Sequence, residues 1–180
     1  MSEKLIQEGL VHVYTGEGKG KTTAALGIAL RAVGWGARVC VVQFIKGYSE
    51  IGEAKFAAQM PDRLALKQFA IDLTRTIDEA DVLERELAAE EAMAWAEQVV
   101  SQGEFDVVIL DEINNALHYG LIPIPRVLSM IAGRPSHVEL ILTGRSAPAE
   151  IVDAADYVTE LRMIKHPFEK GIGARKAIDY

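Results

Sequence analysis

Apolar positions in this chain come as short continuous runs, separated by longer stretches in which they recur every three or four residues. Continuous β-branched runs predict strands covered on both faces, and the longer spacing predicts amphipathic helices. "LVHVY" (10–14), "RVCVVQF" (38–44), "FDVVILDE" (105–112) and "HVELILTG" (137–144) read as buried strands. "LALKQF" (64–69) and "YVTELRMI" (157–164) read as weaker ones. Helices are expected over 21–33, 53–60, about 78–100, 123–133 and 148–155. The fourth starts at prolines and stops at Gly133. In the long third helix, Leu83, Leu87, Trp95 and Val99 mark the expected buried stripe, and Glu84 to Glu91 a solvated face. No repeat, low-complexity tract or linker interrupts the alternation, so residues 1–180 are expected to form one domain. Alternating strands and helices imply an α/β fold: a mostly parallel sheet with helices on both faces.

In such a sheet ligands bind at the carboxyl ends of the strands, and the unusual polar residues fall there. After the first strand comes "YTGEGKGKTTAA" (14–25). Glycine at this density costs backbone entropy, and an anion offsets it. Gly16, Gly18 and Gly20 let the backbone curl so that successive N–H groups converge, and the following helix adds the positive end of its dipole. Lys21 supplies a full charge to outer phosphates, Thr22 a hydroxyl for magnesium, and Thr23 a hydroxyl for a phosphate oxygen. Thr15 stands where the usual phosphate-binding pattern G-x-x-x-x-G-K-[ST] has its first glycine. Asp111 and Glu112, ending the strand at 105–112, are candidate magnesium ligands. Arg145, after "LTG", is placed to pair with phosphate oxygens. Glu17 is unexpected beside phosphates; it points to solvent or reads part of the nucleotide.

The chain of 180 residues is 49% hydrophobic and 25% charged, the composition of a soluble globular domain. Its net charge of −7 argues against a general nucleic-acid binder. No apolar run reaches the roughly 20 residues of a membrane span. The first residues lack the apolar centre of a signal peptide, so the expected compartment is the cytoplasm. The single cysteine, Cys40, reads as a buried small hydrophobe. His12, His118, His137 and His166 show no metal-ligand spacing; His12 reads as structural, and His166 as lining the site or packing the tail. The guanine-reading motif N-K-x-D is absent, and no arginine-rich lid of a small kinase stands out. The residues by themselves leave open a nucleotide-dependent switch, a small kinase or ATPase, and a transferase.

Several stretches together resemble the P-loop ATP:corrinoid adenosyltransferase family. They are "YTGEGKGKTTAALGIALRAVG" (14–34), "VVQFIKG" (41–47), "VVILDEINNAL" (107–117), "RPSHVELILTGR" (134–145), "DAADYVTEL" (153–161) and "KHPFEKGIGARKAIDY" (165–180). The resemblance implies a RecA-like P-loop nucleotide-binding fold and transfer of the 5′-deoxyadenosyl group of ATP to the cobalt(I) of a reduced corrinoid, with release of triphosphate. Cobalt(I) is the nucleophile, so no side chain is implied as a catalytic base. By position, Gly16, Glu17, Gly18, Lys19, Gly20, Lys21, Thr22 and Thr23 would surround the triphosphate, with Arg31 and Arg145 as further nucleotide contacts. Thr22 and Glu112 would hold Mg2+, with Asp111 nearby. A homodimer is implied, as is a flavin-type reductase supplying cobalt(I); no nucleic acid and no membrane is involved. One segment departs from the family pattern. Similar enzymes carry an aromatic-bearing stretch before the long helix, whose rings pack under the corrin; here "FAIDLTRTIDEAD" (69–81) has Phe69 as its only aromatic.

Overall fold

A computed structural model describes residues 5–45, 50–69 and 79–180. Six parallel strands form one sheet: β1 (Val11–Thr15), β2 (Val39–Gln43), β3 (Leu64–Gln68), β4 (Val107–Asp111), β5 (Glu139–Thr143) and β6 (Tyr157–Glu160). Their order across the sheet is β3-β2-β4-β5-β1-β6. The helices are α1 (Lys21–Gly34), α2 (Gly52–Ala57), α3 (Glu79–Gln102), α4 (Ile113–His118), α5 (Ile124–Gly133) and α6 (Ala149–Asp153).

The continuous apolar runs are explained by burial on both faces. Along β2 and β4, Val39, Val41, Val107 and Ile109 face α1 and α2, packing against Ala25, Ala29, Val33 and Ala57. The alternate residues Cys40, Val42, Val108 and Leu110 pack with Met93, Ile113, Val127 and Ile151 from α3 to α6. Every residue of these two strands is buried. Burial pushes the Cys40 thiol up to about 12, so it stays a protonated, inert core residue.

The structure corrects four expectations. The buried stripe of α3 is not the leucine stripe: Leu83 and Leu87 are exposed, while Ala89, Ala92, Met93, Ala96, Val99 and Val100 are buried. Small alanines let this helix lie close on the sheet, where leucine would not fit. Trp35, whose place after a helix end suggests a cap on the core, is 78% exposed and closes no core. Helix α4 is additional. Six residues with two asparagines carry little intrinsic helical preference, and burial of Ile113, Ala116 and Leu117 holds the turn in place. Strand β6 is shorter than its apolar pattern, because at Leu161 the chain leaves the ladder to meet the glycine loop.

Candidate phosphate-binding site

The strand order places the carboxyl ends of β1, β5 and β4 side by side, bringing the glycine loop, Thr143 to Arg145 and the Asp111–Glu112 pair together. The loop runs from Gly16 to Gly20 between β1 and α1. Gly16 and Gly20 adopt φ of 93° and 116°, in the region L side chains avoid. Gly16 carries a second constraint. A Cβ there would lie 2.5 Å from the Leu161 carbonyl oxygen, and the N–H of Gly18 donates to that same oxygen at 2.6 Å. Two of the loop glycines therefore serve the docking of the chain after β6 as well as the opening for an anion. Gly16→Ala is expected to destabilise the fold by about 2 kcal/mol, measured by denaturant unfolding.

Lys21 opens α1 and is buried, with 7% of its surface exposed. Its Nζ donates to the carbonyls of Gly16 at 2.7 Å and Gly18 at 2.9 Å, so the ammonium braces the loop from inside. Burial lowers its pKa, and the neighbouring Glu112 opposes that. No side chain caps α1, whose N-cap is Gly20. The first-turn N–H groups, which have no partner within the helix, are thereby left for a ligand.

Asp111 is fully buried at the end of β4. Its Oδ1 accepts from the Thr22 hydroxyl at 2.8 Å and the Thr143 hydroxyl at 2.7 Å, and its Oδ2 accepts from Gln43 Nε2 at 3.2 Å. Glu112 is one of three non-glycine residues described with positive φ, at 66°. Its N–H donates to Thr143 Oγ1 at 3.0 Å. A glutamate in this conformation costs about 1 kcal/mol or more, a strain typical of functional sites. Among the described residues no group of three or more His, Cys, Asp or Glu is arranged to hold a metal. One threonine hydroxyl beside two acids at a phosphate site still fits magnesium, which prefers oxygen, keeps several waters and leans on phosphate oxygens.

Glu17, Gly18, Lys19, Gly20, Lys21, Thr22, Thr23, Glu112 and Arg145 line one pocket of about 260 Å³, and the tail closes it with His166, Ile178 and Asp179. Gly16 stands beside it through its carbonyl on Lys21. Two sequence expectations meet here in an unforeseen way. Glu17 is paired with Arg145 at 3.0 Å, so in this state the arginine faces a carboxylate. Lys19 is paired with Asp179 of the tail. His166 Nδ1 accepts the N–H of Phe168 at 3.2 Å, capping the 3₁₀ turn Pro167–Lys170, while the residue also lines the pocket. Arg31 does not join the site. It lines a separate depression with Ile28, Trp35, Val107 and Glu139, at the amino ends of β4 and β5, because it lies near the far end of α1. His12 Nε2 lies 2.6 Å from Glu139 Oε1 within the sheet, a structural contact.

Gln43, Asn115 and Asp179 are site residues the sequence reading missed; Thr143 was legible as a polar strand end beside Arg145, without its contact to Asp111. Asn115 Oδ1 accepts the backbone N–H of Arg145, fixing the end of β5. Gln43 offered a signal, as a polar residue ending an apolar strand; Asn115 and Asp179 offered none. Phe69 is buried against Trp95, with ring centroids 6.1 Å apart, so its ring is no open platform. The rest of the segment that departs from the family pattern, residues 70–78, lies outside the described residues.

The comparisons with known proteins agree with this geometry. The family model "ATP:corrinoid adenosyltransferase BtuR/CobO/CobP" matches residues 7–180. A corrinoid adenosyltransferase of Pseudomonas aeruginosa is 37% identical over 186 residues, spanning 100% of this chain and 90% of its own length. The corrinoid adenosyltransferase CobA of Salmonella typhimurium is 40% identical over 177 residues, 97% of this chain and 87% of its own. Among solved structures, a KaiC-like protein of Pyrococcus horikoshii aligns with a TM-score of 0.55 at 18% identity, covering 88% of this chain and 75% of its own. The flagellar accessory protein FlaH of Methanocaldococcus jannaschii aligns with a TM-score of 0.55 at 13% identity, covering 86% and 72%. At such identities these two speak for the RecA-like P-loop fold alone.

Proposed function

The chain belongs to the ATP:corrinoid adenosyltransferase family, and from that premise we propose how its residues divide the work. The family's activity is adenosylation of a corrinoid with ATP. In the reaction we propose, the cobalt(I) electron pair attacks C5′ of the ribose and forms the cobalt–carbon bond. The C5′–O bond breaks, and triphosphate leaves with the bonding pair. Since the corrinoid brings the nucleophile, the protein needs no general base. Its task is to hold the leaving group and favour the charge that grows on it.

The observation that carries this reading is Lys21, buried beneath the loop with its ammonium on two backbone carbonyls. A phosphate entering the pocket gives that charge a better partner than two neutral carbonyls. The N–H groups at the start of α1, the Thr23 hydroxyl, Lys19 and Arg145 supply further donors. Two of these are paired in the free protein, Lys19 with Asp179 and Arg145 with Glu17. Both pairs are partly exposed, worth about 0–1 kcal/mol each, so triphosphate exchanges them at little cost. Thr22 and Glu112 would hold magnesium, with Asp111 orienting Thr22. The ion would neutralise charge on the departing triphosphate. A homodimer, a cytoplasmic location and a flavin-type reductase supplying cobalt(I) complete the reading. No helix among the described residues is long and apolar enough to cross a membrane.

The test is an anaerobic absorbance assay with magnesium ATP and a chemically reduced corrinoid. The expected product has the light-sensitive spectrum of a cobalt–carbon bond, with one triphosphate released per adenosyl group. ATP binding without that product from any of several corrinoids would overturn the proposed transfer.

A further inference from the structure

The carboxyl end of β2 carries a polar side chain that the reaction above leaves unused. Gln43 ends a strand otherwise made of Val39, Cys40, Val41 and Val42, and it is fully buried. Its Nε2 donates to Asp111 Oδ2 at 3.2 Å and to Glu53 Oε1 at 3.3 Å. Both acceptors are carboxylate oxygens. That decides which way the amide points, because a reversed amide would set its oxygen against two carboxylates. Oε1 therefore faces away from both, buried and with no hydrogen-bond partner among the described residues. A buried acceptor left this way costs about 1–3 kcal/mol. A methionine of similar volume would fill the strand end without that cost.

A stranded acceptor marks the place of a missing donor, and its surroundings select which. The other end of the same amide is held by the carboxylates of Asp111 and Glu53, and the Thr22 hydroxyl sits on the far oxygen of Asp111. A phosphate oxygen brings another acceptor and is excluded. A water on a divalent cation fits. Its lone pair is committed to the metal, it offers only hydrogens, and acceptor oxygens stabilise it.

We propose that Gln43 is a positioning residue of the metal site. Its Nε2 holds Asp111 against Glu53, and its Oε1 accepts a hydrogen bond from a water of the magnesium ion that arrives with ATP. This rests on the reading of Thr22, Asp111 and Glu112 given above.

The test uses Mn2+ as a paramagnetic probe, titrated with ATP into the full-length protein without corrinoid and followed by electron paramagnetic resonance. Wild type serves as the control for the underlying reading: if it forms no Mn2+–ATP complex, the metal site itself is wrong. Gln43→Met removes donor and acceptor, and is expected to weaken Mn2+ about tenfold in the ternary complex. ATP affinity in the presence of a chelator should stay within twofold for this variant and for Gln43→Leu. The latter also removes donor and acceptor, and is expected to show the same loss of Mn2+ affinity. A purely structural role would lower the melting temperature of both variants and leave the Mn2+ constant unmoved. Mn2+ binding by Gln43→Met within twofold of wild type overturns the proposal. If that variant does not fold, Gln43→Leu decides: a loss of about tenfold upholds the proposal, and Mn2+ affinity within twofold of wild type overturns it.

Discussion

Lys21→Ala is expected to lower the rate of cobalt–carbon bond formation by at least about 100-fold, the scale of losing one preorganised donor to a developing anion. Two effects combine. The triphosphate loses a buried full charge, and the carbonyls of Gly16 and Gly18 lose the ammonium that braces them. Lys21→Met separates them, since it keeps most of the side chain's bulk and removes only the charge. If charge dominates, the two variants fall equally in single-turnover absorbance assays at saturating ATP. A rate within tenfold of wild type in both would remove Lys21 from the transfer step. Burying its charge costs the free protein stability. Burial depresses the folded-state pKa below the unfolded value. Stability is therefore penalised while the lysine is protonated, and the penalty lifts as pH rises through the folded pKa towards the unfolded one. Triphosphate offsets that penalty, so ATP should raise the melting temperature of wild type more than that of Lys21→Met.

The second large effect is expected at Asp111. Asp111→Ala strands the buried Thr143 hydroxyl and the buried Gln43 amide, and frees the half-buried Thr22 hydroxyl that lines the pocket. Leaving such buried donors without their acceptor costs about 3 kcal/mol. In a chain of this size that is a fall of about 10 °C in melting temperature. Magnesium-dependent transfer should fall with it, because Thr22 loses the carboxylate that orients its hydroxyl. Asp111→Asn should lose transfer with the carboxylate's charge while recovering part of the stability, since Oδ1 still accepts from both hydroxyls and only the Gln43 amide meets a second donor. Equal stability of Asp111→Ala and wild type in denaturant unfolding would contradict the buried network.

Legibility from sequence differed from residue to residue for physical reasons. Gly16 and Gly20 could be read because positive φ is a local demand. Lys21 and Thr22 could be read because they sit at fixed offsets from those glycines. Asp111 and Glu112 could be read because a strand end is a local event. Arg31 came from the resemblance and not from any local pattern; in the structure it falls near the far end of α1, away from the loop. Leu83 and Leu87 misled because hydrophobic spacing favours large side chains, whereas the sheet accepts the alanine face of α3. Glu17 could not be resolved without its partner, which lies 128 positions away at Arg145.

The chain's own pattern was enough to determine the alternation of strand and helix, the burial of strands on both faces, and the glycine loop between β1 and α1. These follow from short-range rules: side-chain period, glycine's freedom and the uncapped start of a helix. Tertiary structure decided which strand ends meet. The order β3-β2-β4-β5-β1-β6 sets Gln43, Asp111 and Thr143 in a row at the carboxyl edge, and folds Asp179 back onto Lys19. Such pairings depend on crossover connections and on competition for one core. That choice is made by the whole chain at once, and no local stretch of residues encodes it.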